Sequence, residues 1–108
     1  MTLRLLSSWA FAFLSASAMA QDISSNPPSA AEIARGAKIY ATNCSSCHGV
    51  RMAGPEWAID LTKFPKDQRV RFIDSVTHGK AAMPPWGDVL KPDEVAALWS
   101  YVVAGESK

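Results

Sequence analysis

Net charge is missing from this chain. Eleven lysines and arginines face ten acids over 108 residues, and a chain that begins at Gln21 loses Arg4 and becomes formally neutral. Such a balance argues against a broad phosphate-binding face, and with it against nucleic acid as a partner; any electrostatic steering must come from local patches. No segment alternates apolar and polar residues long enough to mark a strong strand, and no internal repeat is present. No apolar run reaches the roughly 20 residues that a bilayer span needs. Histidine is limited to His48 and His78, which leaves acid-base catalysis little to work with. Cysteine is limited to Cys44 and Cys47. A bridge between two residues so close in sequence constrains little of the unfolded chain, so a structural disulfide is a weak reading.

The start of the chain reads as a targeting segment. Arg4 supplies a short positive region, Leu5 to Leu14 is apolar apart from Ser7 and Ser8, and Ala18-Met19-Ala20 has the small-x-small pattern of a cleavage site. Residues 1–20 are therefore expected to be a signal peptide cut after Ala20, with export to the periplasm; an uncleaved anchor is the alternative. Residues 21–29, with Pro27-Pro28, read as a flexible leader. Residues 30–106 are the expected domain.

The richest stretch is Cys44-Ser45-Ser46-Cys47-His48. Two thiols three residues apart with an imidazole directly after the second form the attachment signature of c-type haem. On one helical turn, side chains at i and i+3 are neighbours, so both sulfurs can bond the vinyl groups along one porphyrin edge. His48, at i+4 from Cys44, lies on the same face and can offer its imidazole to the iron. The competing reading is a redox-active dithiol, which sits in a strand and helix context. A single domain of this size buries a limited core and commonly needs a staple, metal or cofactor; one covalent haem meets that need.

Around the motif, Ser29-Ala30-Ala31-Glu32 matches a capping box. The helix it opens runs to about Cys44, with Ile33, Gly36, Ala37, Tyr40 and Cys44 on one face. Residues 49–64 lack a sustained period and read as a loop. A second helix is expected over 66–77, with Val70, Ile73 and Val76 as its buried row and Gly79 near its end. Residues 80–90, centred on Met83-Pro84-Pro85-Trp86-Gly87, form a second loop. Pro92, Asp93 and Glu94 open the last helix, whose buried stripe is Val95, Leu98, Tyr101 and Val102 and which ends at Gly105.

In order and spacing these features resemble a class I cytochrome c, over about Ala30 to Gly105. The resemblance implies an all-α, small cytochrome c fold of three to four helices around one covalent haem, with the first and last helices crossing near Gly36 and with Tyr40 and Tyr101 beside that contact. It makes His48 and Met83 the axial iron ligands and gives the Pro55 carbonyl a hydrogen bond from the other nitrogen of His48. Such a site shuttles single electrons and makes no bond, so the chain is expected to be an electron carrier and not an enzyme. More narrowly, Met83 to Gly87 followed by Leu90 to Val95 looks like small cytochromes that accept electrons from quinoprotein alcohol dehydrogenases and pass them towards a terminal oxidase.

Alternatives remain at several positions. Met83 could be a core methionine, and Met52 or His78 could ligate in its place, the latter giving a two-histidine site of lower potential; a haem protein with an open or His-ligated iron acting as enzyme or sensor is the further alternative. Trp57 and Trp86 either bond a haem propionate through their indole N–H or simply pack. Lys63, Lys80 and Lys91 either ring the haem edge and guide an acidic partner or are ordinary solvated lysines.

Overall fold

The computed structural model describes residues 27–105 together with the isolated Ala12; the rest of the expected signal peptide, its expected cleavage point and most of the expected leader lie outside the described residues. Ser29 caps the first helix, α1 (Ala30–Asn43), its side-chain oxygen accepting from the Glu32 amide at 3.2 Å. Cys44 breaks the helix, and one further turn, α2 (Ser45–His48), follows directly. A 3₁₀ turn, Leu61–Lys63, interrupts the next loop, with Asp60 accepting from the Thr62 amide at 2.9 Å. Then come α3 (Arg69–His78) and α4 (Pro92–Ala104). Among the described residues there is no strand beyond one isolated antiparallel bridge, Lys80 to Met83, so the architecture is all-helical.

The packing of α1 on α4 is the most extensive between any two elements, and α3 packs on α4 beside it. Gly36 makes the crossing possible. A Cβ at that position would lie 2.0 Å from the carbonyl oxygen of Ala97 and 2.8 Å from Cβ of Tyr101, so the two backbones touch where any side chain would hold them apart. One turn on, the Tyr40 and Tyr101 rings meet with centroids 5.3 Å apart, and Leu98 and Val102 complete the seam from α4. Arg35 closes it at the surface with an ion pair to Asp93, 2.7 Å long.

The second half of the core is aromatic. Phe64, Phe72 and Trp99 form a triangle with centroid separations of 5.7, 6.0 and 5.1 Å, in the offset and edge-on arrangements that ring quadrupoles favour. This triangle corrects one position of the expected buried row of α3, whose Ile73 and Val76 do lie against the core. Val70 is 82% exposed, whereas Phe72 and Val76 are buried. The helix also begins later than expected, at Arg69, because the Gln68 amide turns back to the Pro65 carbonyl at 3.1 Å and spends residues 65–68 on a turn.

Candidate functional site

The end of α1 presents the Cys44 to His48 segment. The Cys44 amide donates to Tyr40 O at 2.8 Å, and Cys47 and His48 both turn back to Cys44 O, at 3.2 and 2.9 Å. The segment therefore stays on a helical path through the break, and Cys44 faces inward against the core while Cys47 is exposed. Burial, and after it the neighbouring Cys47, pushes the Cys44 thiol up to about 11.

Tyr40 has a second task besides the helix crossing. Its hydroxyl donates to the carbonyl of Gly49, which also accepts the Met52 amide at 3.2 Å. The residue after His48 is thereby tied to the buried face of α1. From the other side, the backbone at Gly54 lies against His48 so closely that a Cβ there would fall 2.7 Å from the His48 carbonyl oxygen. The His48 peptide is thus wedged between a tyrosine tether and a folded-back loop, which leaves the half-buried imidazole as the free variable. Its Nδ1 lies 3.4 Å from the carbonyl of Ile59, a long contact that holds the ring tautomer weakly. The Pro55 carbonyl, expected in that role, accepts the Ala58 amide at 3.0 Å.

Met83 is half-buried, in the loop between α3 and α4. Met52, considered as a rival ligand, is fully buried in the hydrophobic core and takes a left-handed backbone with φ of 62°; its carbonyl accepts the Leu61 amide at 3.0 Å. His78 is exposed at the end of α3, paired through Nδ1 with Asp74 Oδ1 at 3.0 Å. Trp86 packs against the core, whereas Trp57 is 69% exposed. Lys63, Lys80 and Lys91 are all exposed.

The donor set suits a haem. Two sulfurs spaced along one helical turn, an imidazole beside them and a thioether in a separate loop are the covalent and axial ligands that c-type haem uses. Trp57 and Ile59, exposed apolar side chains in the loop that faces the His48 ring, supply apolar surface of the kind a porphyrin covers.

Residues 31–102 match the family described as cytochrome c oxidase, cbb3-type, subunit III. The chain is also 36% identical over 84 residues to cytochrome c6 of Nostoc sp. (strain PCC 7120), covering 73% of this chain and 76% of that protein. It is 35% identical over 78 residues to cytochrome c6 of Microcystis aeruginosa, covering 68% of this chain and 96% of that one. The chain belongs to the class I c-type cytochrome family. Like other class I c-type cytochromes it carries one covalent c-type haem and transfers electrons, and it is not an enzyme. No helix among the described residues is long and apolar enough to cross a membrane.

The thiols and His48 follow α1 without a loop between, Met83 sits in the loop before the last helix, and Tyr40 lies at the helix crossing, each on the element that the sequence pattern assigns it. The tether from Tyr40 to Gly49 escapes sequence reasoning, and so does Ile59. A signal for the tether is present in the spacing: Tyr40 and Gly49 flank a break in the helix, where a returning carbonyl is free to accept.

Proposed function

We propose that this chain is an exported single-electron carrier whose haem is bonded through Cys44 and Cys47 and ligated by His48 and Met83. The observation that carries this reading is the pairing of the attachment segment with a methionine held in a separate, backbone-tied loop. Bound there, the haem supplies a one-electron couple, and thioether ligation favours its reduced form and raises the potential. With His48 and Met83 both holding the iron, no position would be left open to a substrate, as suits a carrier of single electrons. Tyr40 holds the His48 segment, Trp86, packed on the core in the loop before α4, would line the haem, and Trp57 and Pro55 belong to the loop that reaches the His48 ring. Residues 1–20 direct export to the periplasm and are removed after Ala20, residues 21–29 are a leader and residues 30–106 are the working domain. We assign a periplasmic dehydrogenase, of the quinoprotein alcohol type, as electron donor and a terminal oxidase or another cytochrome as acceptor.

The dithiol reading is disfavoured by the Cys44 thiol. A redox-active cysteine works as a thiolate and is found where its pKa is depressed; Cys44 is pushed in the opposite direction by burial.

Replacing Met83 by Ala in the haem-loaded protein is the decisive test. The ferric spectrum loses the weak charge-transfer band that reports sulfur ligation, and the potential falls; an unchanged spectrum and potential would remove Met83 from the iron. For the donor, stopped-flow reduction by a purified quinoprotein alcohol dehydrogenase is faster than reduction by an unrelated flavoprotein donor. Equal rates would reject that partner and leave the carrier function standing.

A further inference from the structure

The loop that carries Met83 is closed on itself at its near foot, just past the end of α3, and fastened to the C-terminal end of α3 at its far foot. At the near foot the Lys80 amide donates to Met83 O at 3.1 Å and the Met83 amide to Lys80 O at 3.0 Å. This closes a tight turn in which Ala81 takes a left-handed backbone, φ 51°. At the far foot the Trp86 amide donates to Val76 O at 2.8 Å and the Gly87 amide to Thr77 O at 3.1 Å. Met83 therefore rides in a closed clip whose base is the last turn of one helix.

Gly79 lies under the middle of that clip. Its φ is 80°, and a Cβ there would fall 2.8 Å from Met83 O, 2.9 Å from Pro85 N and 3.1 Å from the Pro84 carbonyl carbon. All three are backbone atoms, so no side chain can swing aside. Pro84 and Pro85 also have fixed φ angles, which means a push on this strand is transmitted along it and not absorbed by a local twist.

We infer that Gly79 is a positioning residue for Met83: its missing Cβ and left-handed backbone let the Met83-Pro84-Pro85 backbone sit close on α3 and so set where the thioether sulfur is held against the iron. This rests on Met83 being the distal ligand. Gly87 acts on the same clip more weakly, since a Cβ there meets the Thr77 methyl and carbonyl oxygen at 3.0 Å with an ordinary backbone.

The test compares haem-loaded Gly79→Ala, Gly87→Ala and Met83→Ala with Val102→Ala, a buried α4 residue on the α1 seam. The readouts are potential, the sulfur-ligation band of the ferric form and the pH at which that band is lost. Gly79→Ala lowers the potential, weakens the band and moves its loss to lower pH by about one unit, a tenfold change in the ligand-exchange equilibrium. Gly87→Ala shifts all three in the same direction by less. Val102→Ala lowers the melting temperature and leaves all three alone. If both glycine variants keep the parent potential and band, or if Val102→Ala moves them equally, the inference is overturned. Should Gly79→Ala fail to take up haem, Gly87→Ala decides it alone. A Met83→Ala variant indistinguishable from the parent removes the ligation reading itself, a separate outcome from a silent Gly79→Ala beside a disrupted Met83→Ala.

Discussion

A Cβ placed on Gly36 would overlap the Ala97 carbonyl oxygen at 2.0 Å, a distance no rotamer change relieves, because both partners are backbone. The α1 and α4 axes must then move apart, and the contacts of Tyr40, Leu98, Tyr101 and Val102 open with them. Overpacking commonly costs 1–3 kcal/mol, and a clash between rigid backbones belongs at the upper end, so Gly36→Ala is expected to destabilise by about 3 kcal/mol. In a domain this small that lowers the thermal midpoint by roughly 10–20 °C. Calorimetry of the haem-loaded variant checks it, and a midpoint within a degree or two of the parent would mean the helices are not in backbone contact. Gly36 is legible in the sequence because glycine in a helix interior lowers stability relative to alanine and wants a packing reason. Met52 is not legible in the same way: its place in the core depends on a left-handed backbone, φ 62°, which a methionine rarely adopts and which no periodicity reveals.

At the scale of the elements, α1 and α4 are also joined by charge. Arg35 holds the Asp93 carboxyl below its ordinary value, chiefly through their hydrogen bond, and Asp60 is lowered likewise by the Thr62 side chain. A carboxylate whose folded pKa lies below its unfolded one adds stability that is present above the unfolded value, near 3.8, and is lost as pH falls through the folded value. The protein is therefore expected to lose stability on acidification from about pH 4 downward, and Asp93→Asn should flatten part of that slope while changing little at neutral pH, where exposed pairs contribute modestly. Denaturant titrations at several pH values measure it; parallel slopes for parent and variant would show the pair to be silent. α1 and α4 are readable from sequence because caps, a first-turn Pro and a terminal Gly bracket apolar stripes of clear period. For α3 the periodicity finds Ile73 and Val76, which lie against the core, but misplaces the edge of the buried face: Val70 is exposed and Phe72 is buried. The row Val70, Ile73, Val76 is a valid stripe, but the aromatic Phe72 buries more area and finds Phe64 and Trp99, and a turn at Pro65 delays the helix start. Tertiary partners, invisible in the local pattern, decide where the centre of the buried face falls.

For the molecule as a whole, the distribution of apolar surface argues that the haem is part of the fold. The strong interhelical seam is α1 on α4, α3 adds a smaller contact, and α2 is a single turn resting on α1. The loops between them leave Val50, Trp57, Ile59 and Val89 exposed. A domain of about 80 residues buries only about 60% of its unfolded surface and is marginal without a staple or cofactor. A ligand that binds the folded state alone adds its binding free energy to stability, and a covalent one cannot be diluted away. The chain made without haem, as a Cys44→Ala and Cys47→Ala double variant, is thus expected to have much reduced far-ultraviolet helical signal and no cooperative melt, where the haem-loaded parent melts in one transition. Residual helix should be confined to α1 and α4, the two longest helices and the pair with the most extensive packing, and amide exchange would locate it there. A haem-free chain that melts cooperatively near the parent midpoint would show that the α1 and α4 seam and the aromatic triangle suffice, and that the attachment segment serves electron transfer alone.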